Sequence, residues 1–427
     1  MEKLLIALFS RCVVRGALTV ETARGRKLMF GDGTGDEVRI RLTDVSAERA
    51  LVVNPELRVG ELFMDRRLVV EQGTIFDFLA LVLRDPAPPS LPLRLVKDVR
   101  MMKRSFLSWN NPWRARRNVA HHYDLDDRLY RLFLDADCQY SCAYFEWPGI
   151  TLEEAQLAKK RLITAKLVIE PDSRVLDIGS GWGGLGLYIK EIGGAADVLG
   201  ITLSIEQLEA ASARARERGL QDSVRFDLQD YRDVKGAFDR IVSVGMFEHV
   251  GTRFYRTYFG KCRELLKPDG VMLLHTIGLM EGPWYPNPWL EKYIFPGGQL
   301  PALSEIAPAI ERSGLIVTDV ECLRLHYAET LAEWRRRFMA RRAEALALYD
   351  ERFCRMWEFY LSSCEAAFRF QGVAVFQVQC ARRQDAVPRT RDYIAERMHD
   401  LRMRETQLVA EADRGTVEPL PRRAQRN

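Results

Sequence analysis

A glycine-rich stretch beside an acidic residue is the feature of this sequence that points most directly to chemistry. Asp177 lies in the apolar run Arg174-Val-Leu-Asp-Ile, Gly179-Ser-Gly-Trp-Gly-Gly follows, and Leu185 begins a segment with helical character. Glycines let the backbone turn tightly and approach a ligand closely, and the first turn of a helix directs free N–H groups at negative charge. The order strand, glycine loop, helix therefore predicts the ligand-binding start of a doubly wound sheet.

The spacing of these glycines fits more than one class of ligand. Gly179, Gly181 and Gly184 match the dinucleotide fingerprint, which also places an acidic residue about 20 residues further on, at the end of the second strand. This chain has Gly200-Ile-Thr-Leu-Ser there, without an acid. Asp177 lies instead inside the first strand, where a carboxylate can meet the ammonium group of a ligand with an amino-acid part. These residues favour S-adenosylmethionine over NAD.

Alternating strands and helices are expected to position these residues. After the first strand, apolar runs at 198–202, 224–228, 239–244 and 271–275 read as strands, and helical segments alternate with them. Such alternation is typical of a parallel sheet with helices on both faces. The sequence therefore predicts a doubly wound α/β domain at residues 120–388.

The rest of the chain is predicted to form a smaller α/β domain and two accessory segments. Residues 1–90 contain strand-like runs at 28–30, 38–42 and 68–71 that are separated by turn signals. Residues 91–119 form a basic bridge, and residues 389–427 form a charged helix with a tail. The first residues read as an amphipathic helix rather than a signal peptide, because no small-residue cleavage site follows the short apolar stretch.

Composition excludes several classes of protein. Of 427 residues, 47% are hydrophobic and 29% charged, as in ordinary globular proteins. No apolar run reaches the roughly 18–20 residues of a membrane span. The eight cysteines include no Cys-x-x-Cys pair, and no His-x-x-x-His spacing occurs among the metal-binding residue types, so we expect neither disulfides nor a metal.

The bridge concentrates positive charge. Between Arg94 and Arg117 it holds eight Lys and Arg residues and one acid, Asp98, with Trp109 and Trp113 interleaved. One interpretation is a solvated linker helix. The other is a surface that docks on anionic phospholipid, with cations for the headgroups and aromatic rings at the interface. Nucleic acid is not expected as a partner, because the chain as a whole has 63 basic and 59 acidic residues.

Six longer motifs resemble the cyclopropane-fatty-acid synthase family, which includes the mycolic-acid cyclopropane synthases and methyltransferases. They are residues 140–145, 175–184, 200–207, 238–251, 273–278 and 293–298. The resemblance covers about 120–380 and reaches the N-terminal domain through residues 60–65 and the bridge through 122–125. It implies a Rossmann-like class I methyltransferase domain with a smaller N-terminal lipid-binding domain.

The resemblance also implies a reaction. Family enzymes add the methyl carbon of S-adenosylmethionine to the cis double bond of a phospholipid acyl chain. The alkene attacks the methyl group, a carbocation forms, and loss of a proton closes the ring. A bound bicarbonate takes that proton. An alkene is a poor nucleophile, so the enzyme must align it and exclude water.

Eleven residues match the family's cofactor site. Tyr140 and Ser141 match the methionine end, Gln207 a ribose ligand, and Asp230 and Tyr231 the adenine end. Gln207 has a second interpretation, because Ser204-x-x-Gln is also a capping box; Asp230 has one as a turn residue. The full set is Tyr140, Ser141, Asp177, Gly179, Gly181, Trp182, Gly183, Thr202, Gln207, Asp230 and Tyr231.

Five residues match the family's bicarbonate site, and a sixth matches a proposed catalytic cysteine. His275 and Tyr327 would donate hydrogen bonds to the anion, Glu248 would accept its O–H, and N–H groups near Cys142 and Ile277 would complete the cradle. Cys364 is interpreted mainly as a helix-packing residue. Nine residues are predicted either to line an acyl channel or to be ordinary core: Trp284, Trp289, Tyr293, Ile294, Phe295, Trp334, Phe338, Phe359 and Tyr360.

The sequence therefore predicts a cytoplasmic enzyme that acts on unsaturated phospholipid as a peripheral protein at the inner membrane face. Alternatives are a relative that stops at a methyl-branched or methylated alkene chain, a small-amine methyltransferase, and a lipid-binding protein with an inactive catalytic domain. The resemblance leaves a homodimer open.

Overall fold

The computed structural model describes residues 1–85 and 127–415. The predicted basic bridge at 91–119 and the tail beyond residue 415 lie outside the described residues. No helix in the described part of the chain is long and apolar enough to cross a membrane.

The N-terminal unit is a four-stranded sheet with helices packed on it, in the order β2-β1-β3-β4. The amphipathic first helix is confirmed: it buries Leu5 and Phe9, and the Phe9 ring lies 5.4 Å from that of Phe30. The three predicted strands are confirmed. The structure adds a fourth, β1, which pairs with both β2 and β3 in the sheet. Its elements are α1 (Glu2–Cys12), β1 (Ala17–Glu21), β2 (Lys27–Phe30), β3 (Glu37–Leu42), α2 (Val45–Val53), α3 (Pro55–Met64), β4 (Leu68–Gln72) and α4 (Ile75–Arg84).

The larger unit is built on a seven-stranded sheet in the order β10-β11-β9-β8-β5-β6-β7. The strands from β9 to β7 along this order are parallel to one another, which confirms the doubly wound α/β prediction, whereas β11 is antiparallel to both of its neighbours. The strands are β5 (Arg174–Ile178), β6 (Asp197–Thr202), β7 (Val224–Leu228), β8 (Phe238–Val244), β9 (Leu266–Leu279), β10 (Ile316–Cys322) and β11 (Val373–Ala381).

Helices cover this sheet and close its ends. The last of them, Asp392–Gly415, packs on the helix Leu152–Lys166, where Glu405 accepts hydrogen bonds from Arg161 and from the Tyr188 hydroxyl. The predicted C-terminal segment is therefore part of the larger unit. The helices are α5 (Asp127–Tyr130), α6 (Leu152–Lys166), α7 (Gly184–Glu191), α8 (Ile205–Glu217), α9 (Tyr255–Leu265), α10 (Pro288–Tyr293), α11 (Leu303–Ser313), α12 (His326–Ala340), α13 (Arg342–Leu348), α14 (Glu351–Phe370) and α15 (Asp392–Gly415).

The two units share a hydrophobic core. Helices α3 and α4 pack on α14, and α3 also packs on α10. A Cβ on Gly60 would lie 2.3 Å from the indole nitrogen of Trp289, so only glycine fits there. Beside this contact, Glu61 accepts hydrogen bonds from Lys292 at 2.6 Å and from the Tyr293 hydroxyl at 2.9 Å.

Most residues predicted to line an acyl channel or the core lie in this shared interior. Trp284 differs, because it is exposed and stacks on Tyr285. The buried or core-packed members are Trp289, Tyr293, Ile294, Phe295, Trp334, Phe338, Phe359 and Tyr360.

Candidate functional site

A cleft lies at the carboxyl ends of β5, β6, β7 and β8, the edge where open α/β sheets hold their ligands. It has a larger compartment of about 820 Å³ and a smaller one of about 560 Å³. Gly179, Gly181 and Gln207 line both compartments, so the two form one continuous surface. Five segments line the cleft: residues 138–141, the glycine loop, and the segments that follow β6, β7 and β8.

Asp177 lies in the wall of the smaller compartment. Its side chain is buried, and its Oδ2 atom has no hydrogen-bond partner among the described residues. Burial raises the pKa of this carboxyl to about 7. An unpaired buried carboxyl is costly unless a partner arrives, so this position suits a cationic ligand group, as the sequence predicts.

The glycine loop needs its glycines for two different reasons. Gly179 and Gly181 line the cleft with φ angles of 84° and 54°, in the left-handed region that favours glycine. Gly183 does not line the cleft in the described structure, and its contact with the cofactor stays a prediction. It is the N-cap of α7 with φ 81°, and a Cβ there would lie 2.7 Å from Phe226 and 2.9 Å from Ala211. Its glycine is required by helix-against-sheet packing.

Gln207 fits the capping-box interpretation only in part, and its contact with ribose stays a prediction. The Ser204 hydroxyl accepts a hydrogen bond from the Gln207 backbone, as in a capping box. The Gln207 side chain does not complete the box, because its Oε1 accepts from the Thr202 hydroxyl at 2.8 Å. Both side chains face the cleft. The amide group of Gln207 is thereby held at the junction of the two compartments.

Asp230 and Tyr231 line the larger compartment after β7. The Asp230 carboxylate accepts hydrogen bonds from the Arg232 guanidinium at 2.8 and 2.6 Å, so it is both a turn residue and a wall residue. Arg232 also lines the compartment and was missed by the sequence analysis. A contact of Asp230 with adenine stays a prediction.

The smaller compartment has a charged support that the sequence analysis also missed. Lys159 on α6 is 1% exposed and donates hydrogen bonds to Gln139 Oε1 and Ser141 Oγ. Asp137, in the same loop as Gln139, pairs with Lys160 and Arg214. No sequence signal marked these residues, because the contacts join segments some 20 residues or more apart. Tyr140, Ser141 and Trp182 line this compartment as predicted.

Glu248 lies in the short 3-10 helix Phe247–His249, just beyond β8. Its Oε1 accepts a hydrogen bond from the Ile277 backbone N–H at 2.6 Å, and its Oε2 is buried with no hydrogen-bond partner in the described part of the chain. Burial raises the pKa of this carboxyl to about 7. The Ile277 N–H therefore donates to Glu248, and the cradle of N–H groups predicted near Cys142 and Ile277 stays a prediction.

His275 is buried on β9 opposite Gln377 on β11. Burial lowers the pKa of its imidazole to about 3, so the ring is neutral. The Gln377 side-chain nitrogen lies 3.2 Å from Nδ1. Because that amide nitrogen is a donor, Nδ1 accepts, and the ring proton is assigned to Nε2. His275 can therefore donate one hydrogen bond, as its predicted role requires.

Tyr327 lies on α12 in an aromatic cluster with Trp334 and Phe368. Tyr360 of α14 joins this cluster to the cleft, because its hydroxyl lies 2.7 Å from that of Tyr140, a cleft residue. Burial, together with the nearby Tyr140, Cys364 and Tyr327, raises the pKa of the Tyr360 hydroxyl. Trp334 also stacks on Tyr140, so the aromatic cluster around Tyr327 reaches the cleft.

Two predicted cysteines are held as thiols. Burial raises the pKa of the Cys142 thiol and raises that of Cys364 to about 12. A nucleophilic cysteine acts as the thiolate. These environments favour the packing interpretation of Cys364. Within the described residues, no group of three or more His, Cys, Asp or Glu side chains is arranged to hold a metal ion.

Comparison with known proteins gives consistent matches. Residues 110–378 match the family model of mycolic acid cyclopropane synthetase. Cyclopropane-fatty-acyl-phospholipid synthase of Escherichia coli is 39% identical over 343 residues, which cover 80% of this chain and 87% of that protein. Tuberculostearic acid methyltransferase UfaA1 of Mycobacterium tuberculosis is 41% identical over 276 residues, 62% of this chain and 64% of that protein.

Solved structures agree with these sequence matches. Mycolic acid cyclopropane synthase CmaA1, complexed with SAH and CTAB, is similar with a TM-score of 0.59 and 36% identity, over 62% of this chain and 97% of that one. Coclaurine N-methyltransferase has a TM-score of 0.53 at 22% identity, over 66% of this chain and 94% of that one, and shows the fold alone.

Proposed function

Since the chain belongs to the mycolic acid cyclopropane synthetase family and is an S-adenosylmethionine-dependent methyltransferase, we propose that it acts on unsaturated phospholipid. In this proposal it joins the methyl carbon of the cofactor to the cis double bond of an acyl chain and closes a cyclopropane ring. The observation that carries the proposal is the buried Glu248 carboxyl, with one oxygen fixed and one without a partner in the described chain, beside a cofactor cleft.

The cleft residues fit the cofactor. When bound, S-adenosylmethionine supplies an electrophilic methyl group on a sulfonium. The unpaired Asp177 carboxyl would hold the ammonium group, while Ser141 and Tyr140 would contact the rest of the methionine part. Gln207 and Thr202 would contact the ribose, and Asp230 and Tyr231 would enclose the adenine. In this proposal the methionine part lies in the smaller compartment.

The proton that leaves during ring closure needs an acceptor out of contact with water. Glu248 and His275 are both buried. Glu248 can accept a hydrogen bond and His275 can donate one, so together they suit a small oxyanion with an O–H group. We propose bicarbonate as that oxyanion, which would supply a base at the reacting carbon. Glu248 would accept the O–H of the anion, and His275 and Tyr327 would donate to its oxygens. The Ile277 N–H acts through Glu248, by fixing the carboxyl.

The apolar side of the site suits an acyl chain. Tyr140 stacks on Trp334 with ring centroids 5.2 Å apart, and the Tyr360 hydroxyl lies 2.7 Å from that of Tyr140. Aromatic faces carry negative potential, so they favour positive charge that develops on the acyl chain. They also exclude water, which would trap a cation.

Phospholipid is the proposed partner of the N-terminal unit and the basic bridge. The Escherichia coli synthase, named for a fatty-acyl phospholipid, matches 80% of this chain, whereas cyclopropane mycolic acid synthase 1 of Mycobacterium tuberculosis matches 62%. The longer match supports a role for residues beyond the methyltransferase domain. We propose that residues 91–119 dock on anionic phospholipid and hold the enzyme as a peripheral protein at the inner membrane face.

A fatty-acyl methyltransferase is the second candidate, because a relative at 41% identity is named for tuberculostearic acid. The deciding experiment uses phospholipid vesicles with cis-unsaturated chains and S-adenosylmethionine, followed by mass spectrometry of the released fatty acids. A gain of one CH₂ in a product that resists mild hydrogenation supports ring closure. A product that takes up hydrogen supports methylation alone. A protein that binds the cofactor but leaves the acyl chains unchanged would contradict both.

A further inference from the structure

The buried ammonium of Lys159 lies directly behind the smaller compartment. Lys159 is on α6, a helix whose start is fixed by a capping box between Thr151 and Glu154. Its Nζ atom donates hydrogen bonds to Gln139 Oε1 at 2.5 Å and to Ser141 Oγ at 2.9 Å. Both partners belong to the loop that lines the compartment. A buried lysine is rare unless it is paired, so these contacts need an explanation.

The surrounding charges leave Lys159 a cation. Burial lowers the pKa of its ammonium to about 8, and the nearby carboxylates of Asp135 and Asp137 oppose that change. The ammonium is therefore mostly protonated at neutral pH. Asp137 is itself paired with Lys160 and Arg214. Lys159 thus directs its hydrogen bonds to the neutral oxygens of Gln139 and Ser141.

The direction of these hydrogen bonds fixes the Ser141 hydroxyl. An ammonium group only donates, so Ser141 Oγ must accept, and its own O–H then points away from Lys159. The backbone around it is held as well, because Gln156 Nε2 donates to the carbonyls of Gln139 and Ser141. Ser141 lines the compartment, so a pre-oriented O–H donor faces any ligand there.

We propose that Lys159 is a positioning residue that sets Ser141 as a hydrogen-bond donor to the carboxylate of the methionine part of S-adenosylmethionine. It acts through Ser141 and makes the site selective for a ligand that carries that carboxylate. Asp177, in the same compartment, would hold the ammonium of the same ligand. The proposal rests on the identity of the cofactor and is independent of the lipid reaction.

The test compares the affinities of S-adenosylmethionine and its decarboxylated analogue by titration calorimetry, without lipid. The variants are Lys159→Met, Ser141→Ala and the double variant. Each single change is expected to weaken S-adenosylmethionine about 10-fold, the loss of one hydrogen bond to a charged group, and to leave the analogue nearly unchanged. The double variant should lose no more than the stronger single one, because both changes remove the same donor.

Lys166→Met is the matched control. Lys166 is on the same helix and is also buried, but it pairs with Glu321 on β10. It should keep the wild-type preference for the carboxylate. Lys159→Gln gives a second variant whose amide can still donate to Ser141, and it should retain more of that preference than Lys159→Met. A melting curve for each variant establishes that the protein compared is folded.

Two results would overturn the proposal. One is an equal loss of affinity for both ligands in Lys159→Met, which indicates a structural role. The other is a double variant whose loss is the product of the two single losses, which indicates that the residues act independently. Since no acyl substrate is present, an enzyme that fails to modify lipid would leave these results unaffected.

Discussion

The backbone N–H of Ile277 donates to Oε1 of Glu248 across 2.6 Å, while Oε2 of the same carboxyl is buried and has no hydrogen-bond partner among the described residues. The strand β9 thus fixes the orientation of an acid that comes from the end of the neighbouring strand β8. This arrangement leaves one oxygen of a rigid carboxyl for chemistry, with a pKa raised by burial to about 7.

Replacing Glu248 by Gln should separate a chemical role from a structural one. Gln keeps the shape and a hydrogen bond but loses the charged acceptor. We expect a loss of turnover on the order of 10²-fold, the low end for a positioned general base, with normal cofactor affinity and melting temperature. Added bicarbonate should recover part of the loss.

In the wild type, turnover should rise with pH through about 7, because the carboxylate is the active form. A folded variant with wild-type turnover would remove Glu248 from the mechanism.

The affinity for S-adenosylmethionine should rise with pH because of Asp177. Burial raises the pKa of Asp177 from 3.8 in the unfolded chain to about 7 in the fold, so its contribution to stability falls as pH rises between these values. A bound cationic ligand instead favours the ionised form of the Asp177 carboxyl. We expect affinity to fall by up to about tenfold for each pH unit below 7, and binding near pH 6 to release a proton. Calorimetry in buffers of different ionisation enthalpy measures both. Asp177→Asn should bind weakly and lose the pH dependence; a pH-independent wild type would contradict the assignment.

Two glycines of one loop should respond differently to alanine. In Gly183→Ala the new methyl group would clash with Phe226 and Ala211, so we expect the free energy of unfolding to fall by about 3 kcal/mol from strain and overpacking. The cofactor affinity of the folded fraction should change little. Gly181→Ala has no heavy atom of the described structure within 4 Å of its Cβ but lies in the cleft. It should lose about 1–2 kcal/mol of stability and also cofactor affinity. Urea unfolding and calorimetry measure both; equal affinity losses would support the predicted ligand role of Gly183.

Electrostatic docking by residues 91–119 remains a prediction from the sequence. The protein should bind vesicles of anionic phospholipid more tightly than neutral ones, and the binding should weaken with salt, because exposed charges are screened within about 10 Å at 0.1 M. Replacing Lys103 and Arg104 by Gln should weaken binding to anionic vesicles, while turnover on substrate dispersed in detergent stays normal. Salt-independent binding of equal strength to both vesicle types would contradict the docking mechanism.

The predictions from sequence succeeded where the signal is local. The glycine loop, Asp177 within its strand and the five central strands follow from short-range patterns, and ten of the eleven predicted cofactor residues line the cleft. Gly183 does not line it, and its close approach to Phe226 on β7 could not be predicted because that strand is distant in the chain. Strands β10 and β11 were not predicted; every residue of β11 is buried, although Gln377 and Gln379 interrupt its apolar run.

The residues proposed as catalytic were predicted by resemblance, and only the structure gives their connections. The hydrogen bond from Ile277 to Glu248 and the contact of Gln377 with His275 join β9 to segments far away in the chain. Lys159 had no sequence signal for the same reason. Its partners lie 18 and 20 residues earlier, in an irregular loop whose path no periodic pattern indicates.

The close contact of Gly60 with Trp289 limits how domains can be exchanged between relatives. A side chain at position 60 would meet the indole ring and Phe359 at less than 3 Å. A chimera that takes its first 85 residues from a protein with a larger residue at position 60 would therefore separate α3 from α10. Such a transplant succeeds only if positions 60, 289 and 359 are moved as a set, so the three residues form the smallest exchangeable unit of this interface.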